Sequence, residues 1–133
     1  MSKINSQQEI KFFLPAIVWA IIILWLSTSG KINLPSSFDL SPDKFGHAFF
    51  YETLVVLLMI GFAKTGKDTK KRLWWVVFAA TAYGFSLEIV QKVFFPFRFF
   101  DWADALANLI GALLGAWVFL QYKKRKQNEG VLH

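Results

Sequence analysis

Residues 102–122 read WADALANLIGALLGAWVFLQY, and no charged side chain interrupts them between Asp104 and Lys123. About 20 predominantly apolar residues are enough to cross the hydrocarbon of a bilayer as a helix. At 100° per residue, Asp101, Asp104, Asn108, Gly111 and Gly115 fall at roughly 0, 300, 340, 280 and 320°. They form one stripe, polar at the start of the helix and small below. Gly111-x-x-x-Gly115, with Ala103 and Ala107 above it, is the pattern of a helix face that packs closely on a neighbour in a membrane. The stretch therefore predicts a spanning helix with helical partners.

Three further stretches supply them. Apolar runs over about 12–29, 45–63 and 73–94 precede the run at 102–122, and all four fall within 133 residues. Pro15 is expected in the opening turn of the first span, where a missing N–H costs little. Ser41-Pro42 is a start signal for the second, with Ser as cap and Pro at the first helical position. Gly30 and Pro35, Gly66, and Pro96 punctuate the three connections. Residues 1–133 read as a single all-α domain, an integral membrane four-helix bundle.

Composition agrees. The chain is 55% hydrophobic and only 18% charged, with 6 Trp and 15 Phe, which excludes a disordered tail and disfavours a soluble enzyme domain. Without cysteine there is no disulfide framework, thiol nucleophile or cysteine zinc site. The net charge of +6 does not point to nucleic acid, because no basic helix carries interleaved stacking aromatics. With alternating sides, Lys3, Lys11, the cluster Lys64 to Arg72 and the tail Lys123 to Lys126 share one face, leaving Lys31, Lys44, Lys92 and Arg98 on the other. The positive-inside rule then places both termini in the cytoplasm, an N-in/C-in topology. A cleaved signal ending at Ser27-Thr28-Ser29 is the competitor. The apolar run is longer than a signal core and holds two Trp, so the first span is expected to be retained.

Polar residues crowd toward the outer end in this orientation. Asp43, Lys44, His47 and Tyr51 open the second span, Glu88, Gln91 and Lys92 close the third, and Asp101, Asp104 and Asn108 open the fourth after Arg98. Thr81, Gly84, Glu88 and Gln91 form a second stripe, at roughly 0, 300, 340 and 280°. His47 and Tyr51 stand one turn apart and share a face. Ten residues are therefore candidates to line a pocket between the three spans: Asp43, Lys44, His47, Tyr51, Glu88, Gln91, Arg98, Asp101, Asp104 and Asn108. Simpler roles compete for several of them. Asp101 and Asp104 suit a helix start, where carboxylates are favoured, and Asn108 and Gln91 suit interhelical hydrogen bonds. Glu88 is harder to explain by packing, since a carboxylate inside a span needs a partner or a proton. Glu52 lies about 140° from His47 on its helix and stands outside the group.

The pattern Asp43-Lys44-x-x-His47-x-x-x-Tyr51-x-x-Leu54, Glu88-x-x-Gln91 and Arg98-x-x-Asp101-x-x-Asp104-x-x-x-Asn108-x-x-Gly111 resembles the VanZ-like family of small bacterial membrane proteins. Trp25-Leu26-Ser27 fits that family's opening helix. The resemblance covers about four-fifths of the chain and implies a multi-pass protein of the bacterial cytoplasmic membrane, in a family named for a protein linked to resistance to the glycopeptide teicoplanin. It implies no particular reaction.

Three functions follow as expectations. The first is binding or modification of an amphiphile of the outer leaflet, a lipid or lipid-linked envelope molecule, with Arg98 and Lys44 for anionic groups and Asn108, Gln91 and Tyr51 for hydrogen bonds. The second is an intramembrane hydrolase or transferase acting on a lipid headgroup, with His47, Glu88 and Asp104 as candidate catalytic acid and base or as ligands of a hard or borderline ion. The spacing is not tight enough to assign a metal, and no cofactor is assigned. The third is proton-coupled transport, which four spans could support only as a homo-oligomer.

Overall fold

A computed structural model describes the backbone of residues 6–28, 42–66, 69–94 and 102–132. It describes the side chains of all of these except 28, 42–45, 91 and 129–132. Four helices carry the described chain: α1 (Ser6–Thr28), α2 (Pro42–Lys64), α3 (Thr69–Phe94) and α4 (Trp102–Leu132). Each is long and apolar enough to cross a membrane. At 1.5 Å per residue the 23 residues of α2 reach about 34 Å, against about 30 Å of hydrocarbon. Among the described residues there is no strand.

The helix ends differ instructively from the spans. α1 begins at Ser6, so Pro15 lies inside it rather than in an opening turn. The polar turn Ser6-Gln7-Gln8-Glu9 continues the helix out of the apolar stretch, and Pro15 costs one internal N–H bond. α2 begins at Pro42, where a fixed φ and an absent N–H suit the first helical position. It ends at a left-handed glycine: Gly66 has φ +76°, and its N–H donates to the Ala63 carbonyl at 3.2 Å. Thr65 reinforces that cap by donating its hydroxyl to the Phe62 carbonyl at 2.8 Å. α4 runs past its span to Leu132, carrying the basic cluster Lys123 to Lys126 as a helical extension.

Contacts between helix ends establish an up-down-up-down bundle. Phe13 of α1 meets Phe62 of α2 edge-on at 4.8 Å, while Trp19 of α1 lies over Phe50 at 5.3 Å, so α1 and α2 run antiparallel. Lys123 near the end of α4 donates to the Thr69 hydroxyl at the start of α3, which sets those two antiparallel as well. α2 and α4 run parallel and form the most intimate pair. Gly111 and Gly115 of α4 lie directly on the backbone of Ala48 and Glu52 of α2. A Cβ on Gly111 would overlap the Ala48 carbonyl, and one on Gly115 would stand 2.5 Å from the Glu52 oxygen. In a lipid solvent as apolar as leucine, such close backbone approach is what holds helices together.

Val55, Met59, Ala112 and Phe119 fill the middle of the bundle. α1 packs at the periphery, with Ile17, Val18, Ile21, Leu24 and Trp25 exposed. Two side-chain bonds tie it in: Trp19 Nε1 donates to the Phe50 carbonyl at 2.8 Å, and the Tyr83 hydroxyl donates to the Ala20 carbonyl at 2.7 Å. Exposed Trp25 and Trp102 mark one end of the bundle and exposed Trp74 and Trp75 the other, as expected of interfacial belts.

Candidate functional site

The end of the bundle where α2 and α4 begin and α3 finishes gathers the buried side chains of Glu88, Asp104 and Asn108. His47 lies two turns into α2, Asp104 in the first turn of α4 and Glu88 about two turns before the end of α3. One ligand-type atom from each, a His47 ring nitrogen and a carboxylate oxygen from Glu88 and Asp104, lie within 4.8 Å of one another. Glu88 is 3% exposed and Asp104 8%, whereas His47 is half-buried and faces the end of the bundle.

Asn108 orients the imidazole. His47 Nδ1 stands 3.1 Å from Asn108 Oδ1, so with the amide oxygen as acceptor Nδ1 carries the proton. Nε2 is then the ring nitrogen on the side of the carboxylates, 3.8 Å from Asp104 Oδ2. Asn108 is 1% exposed and is itself seated by Gly84 of α3. A Cβ at Gly84 would fall 2.6 Å from Asn108 Nδ2 and 3.0 Å from the Tyr51 ring. Tyr51, one turn below His47, is buried beneath the cluster beside Tyr83, with ring centroids 6.4 Å apart. A three-helix junction thus depends on glycine at 84 and 111, one admitting two side chains and the other a backbone.

The structure accordingly brings together His47, Tyr51, Glu88, Asp104 and Asn108. Asp43 and Lys44 on α2 and Gln91 on α3 have side chains outside the described set, and Arg98 and Asp101 lie outside the described residues. The Thr81 hydroxyl donates to the Val77 carbonyl of its own helix at 2.8 Å. Ala48 and Glu52 were not among the expected contributors. Their carbonyls form the seat for Gly111 and Gly115, a backbone role that side-chain spacing does not reveal.

The chain matches a known sequence family over most of its length. Residues 12–123 match the VanZ/LLP1 family. The chain belongs to that family. Within this VanZ/LLP1 protein, the match spans all four apolar stretches and every candidate site residue. No curated protein and no solved structure matches the chain.

The volume at the site bears on its chemistry. A cavity of about 390 Å³ lies at the opposite end, lined in part by Lys64, Thr69, Phe119, Lys123 and Lys126. A second of about 380 Å³, an apolar recess of Phe85, Ile89, Lys92, Val93 and Trp102, opens on the flank of α3 and α4. Neither is lined by His47, Glu88 or Asp104. The ligand-type atoms of the three groups lie within 4.8 Å of one another, a spacing that a single ion can bridge.

Proposed function

We propose that this VanZ/LLP1 protein acts at the extracytoplasmic surface of the bacterial cytoplasmic membrane, where the His47–Glu88–Asp104 end of the bundle binds or modifies the polar head of an outer-leaflet amphiphile. The observation that carries the reading is the burial of two carboxylates beside an oriented imidazole in a membrane protein, since ionisable groups there are costly and mark function by default. The distribution of Lys and Arg supports an N-in/C-in orientation with this end outward. A group at that depth meets the headgroup of a molecule whose apolar tail lies in the leaflet. Acylated glycopeptides such as teicoplanin and lipid-linked wall precursors share that form.

An experiment in a teicoplanin-sensitive bacterium tests it. Expression of the chain is expected to raise the teicoplanin concentration needed to stop growth, and His47→Ala and Asp104→Asn are expected to abolish the gain at equal protein levels. Full protection by both variants overturns the site. In parallel, a photoreactive lipid-linked wall precursor in native membranes is expected to label the wild-type chain and not these variants.

A second reading is catalytic. An imidazole whose Nε2 stands 3.8 Å from Asp104 Oδ2, beside two buried carboxylates, supplies a base and an acid for hydrolysis or transfer at a phosphate or ester headgroup. Headgroup turnover by purified protein, lost in Glu88→Gln, separates modification from binding alone. Transport is less well supported, because Val55, Met59, Ala112 and Phe119 fill the middle of the bundle with apolar side chains.

A further inference from the structure

We infer that His47 Nε2 and one carboxylate oxygen each from Glu88 and Asp104 form a three-ligand site for a divalent metal cation, Zn²⁺ or Mn²⁺. The site deepens the reading above, and rests on it only for what would occupy the coordination position left open toward the end of the bundle.

Four features carry the inference. The ligand atoms already lie within 4.8 Å of one another, and the His47–Asp104 pair at 3.8 Å. In a tetrahedral site with bonds of about 2.0–2.1 Å, two ligand atoms stand about 3.3 Å apart, so modest side-chain rotations close the set around an ion. One imidazole and two carboxylates form a nitrogen–oxygen donor set suited to Zn²⁺ and Mn²⁺, whereas Mg²⁺ prefers oxygen alone. The Asn108 amide at 3.1 Å from Nδ1 is the outer-shell partner that ligating histidines commonly have, fixing the tautomer that exposes the Nε2 lone pair. Finally, His47 and Asp104 sit on two helices whose register is set by backbone contact, Gly111 on Ala48, and Glu88 on a third helix whose Gly84 packs against the Asn108 and Tyr51 side chains, which preorganises the ligands before any ion arrives.

A divalent ion balances the charge of the two carboxylates in a low-dielectric setting. Three protein ligands leave at least one position for water or for an oxygen of an incoming headgroup. A phosphate or carboxylate oxygen is the chemistry that such an ion recognises from the bundle end.

The test uses full-length protein, purified in detergent with a tag free of histidine, stripped with chelator and titrated with Zn²⁺ against a chromophoric competitor and with Mn²⁺ by electron paramagnetic resonance. One ion per chain is expected. His47→Ala, Glu88→Gln and Asp104→Asn are each expected to weaken binding at least tenfold, and Asn108→Ala by about 10–100-fold through the outer shell. Lys126→Gln, at the opposite end, is expected to bind as wild type. Circular dichroism melts identify any variant that fails to fold, and the conservative Asp104→Glu, expected to keep part of the affinity, then replaces it. No stoichiometric binding, or binding unchanged in both His47→Ala and Asp104→Asn, overturns the metal site. Labelling by the photoreactive precursor with and without chelator keeps the two readings apart. Labelling that needs His47 but survives chelation, with no ion bound, removes the metal site and leaves the amphiphile. An ion bound without labelling does the reverse.

Discussion

Gly111 of α4 rests on the carbonyl of Ala48 of α2 with no space for a side chain between them. One turn N-terminal on each helix, Ala107 is buried and Lys44 opens α2. His47 directly precedes Ala48, and Asn108 lies three residues before Gly111, so this single contact sets the register in which Nδ1 of His47 reaches Asn108 Oδ1.

Gly111→Val is therefore expected to destabilise the bundle by about 1–3 kcal/mol, because the obstacle is backbone and cannot rotate aside. Gly115→Val is expected to act similarly against Glu52 and Val55. Denaturation in mixed detergent and SDS, followed by circular dichroism, measures both. Stability equal to wild type would contradict the packing.

Gly84→Ala sets two effects against each other. Alanine gains about 1 kcal/mol of helix propensity over glycine. Its Cβ would stand 2.6 Å from Asn108 Nδ2 and 3.0 Å from the Tyr51 ring, and overpacking costs about 1–3 kcal/mol. A net loss of up to about 2 kcal/mol is expected, with displacement of Asn108 and loss of teicoplanin protection. A more stable, fully protective variant would show that Asn108 can move without consequence.

Asn108→Leu separates adhesion from function. Interhelical hydrogen bonds in membranes average about 0.6 kcal/mol, so the variant is expected to remain folded with only a small loss of stability. Its imidazole loses the acceptor that holds Nδ1, and protection is expected to disappear. Retained protection would reduce Asn108 to interhelical adhesive.

Tyr83→Phe removes the hydroxyl that donates to Ala20 and so ties α1 to α3. A loss of about 0.6–2 kcal/mol is expected. Combined with Trp19→Phe, which removes the indole bond to the Phe50 carbonyl, it is expected to expose α1 selectively to protease in detergent while α2–α4 persist. Global unfolding of the double variant would show that α1 is integral to the core.

The absence of native cysteine makes topology directly readable. Lys67→Cys and Asn128→Cys are expected to react with membrane-impermeant maleimide only in opened cells, and Ser37→Cys in intact ones. The opposite pattern would place the His47 end in the cytoplasm and remove the outer-leaflet reading.

Much of the architecture was legible before any coordinates. Apolar runs of spanning length identify four helices whatever their neighbours, since a helix in lipid satisfies its own backbone. Helical periodicity also placed Asp104, Asn108, Gly111 and Gly115 on one face, and Glu88 above Gly84 on another. Helix ends were less legible: polar residues at 6–9 and the basic run after Tyr122 continue as helix, because helical propensity does not stop where hydrophobicity does.

Local sequence, then, determined the number of helices, their amphipathic stripes and the chemical kinds of residue gathered toward one end, because each depends on spacing along one chain. Only the tertiary structure decided that α2 pairs most closely with α4, that backbone at Ala48 and Glu52 receives the two glycines, and that His47 turns toward Asn108 and the carboxylates. Those outcomes depend on the distance between different helices, which the volumes of the facing side chains set and periodicity does not encode.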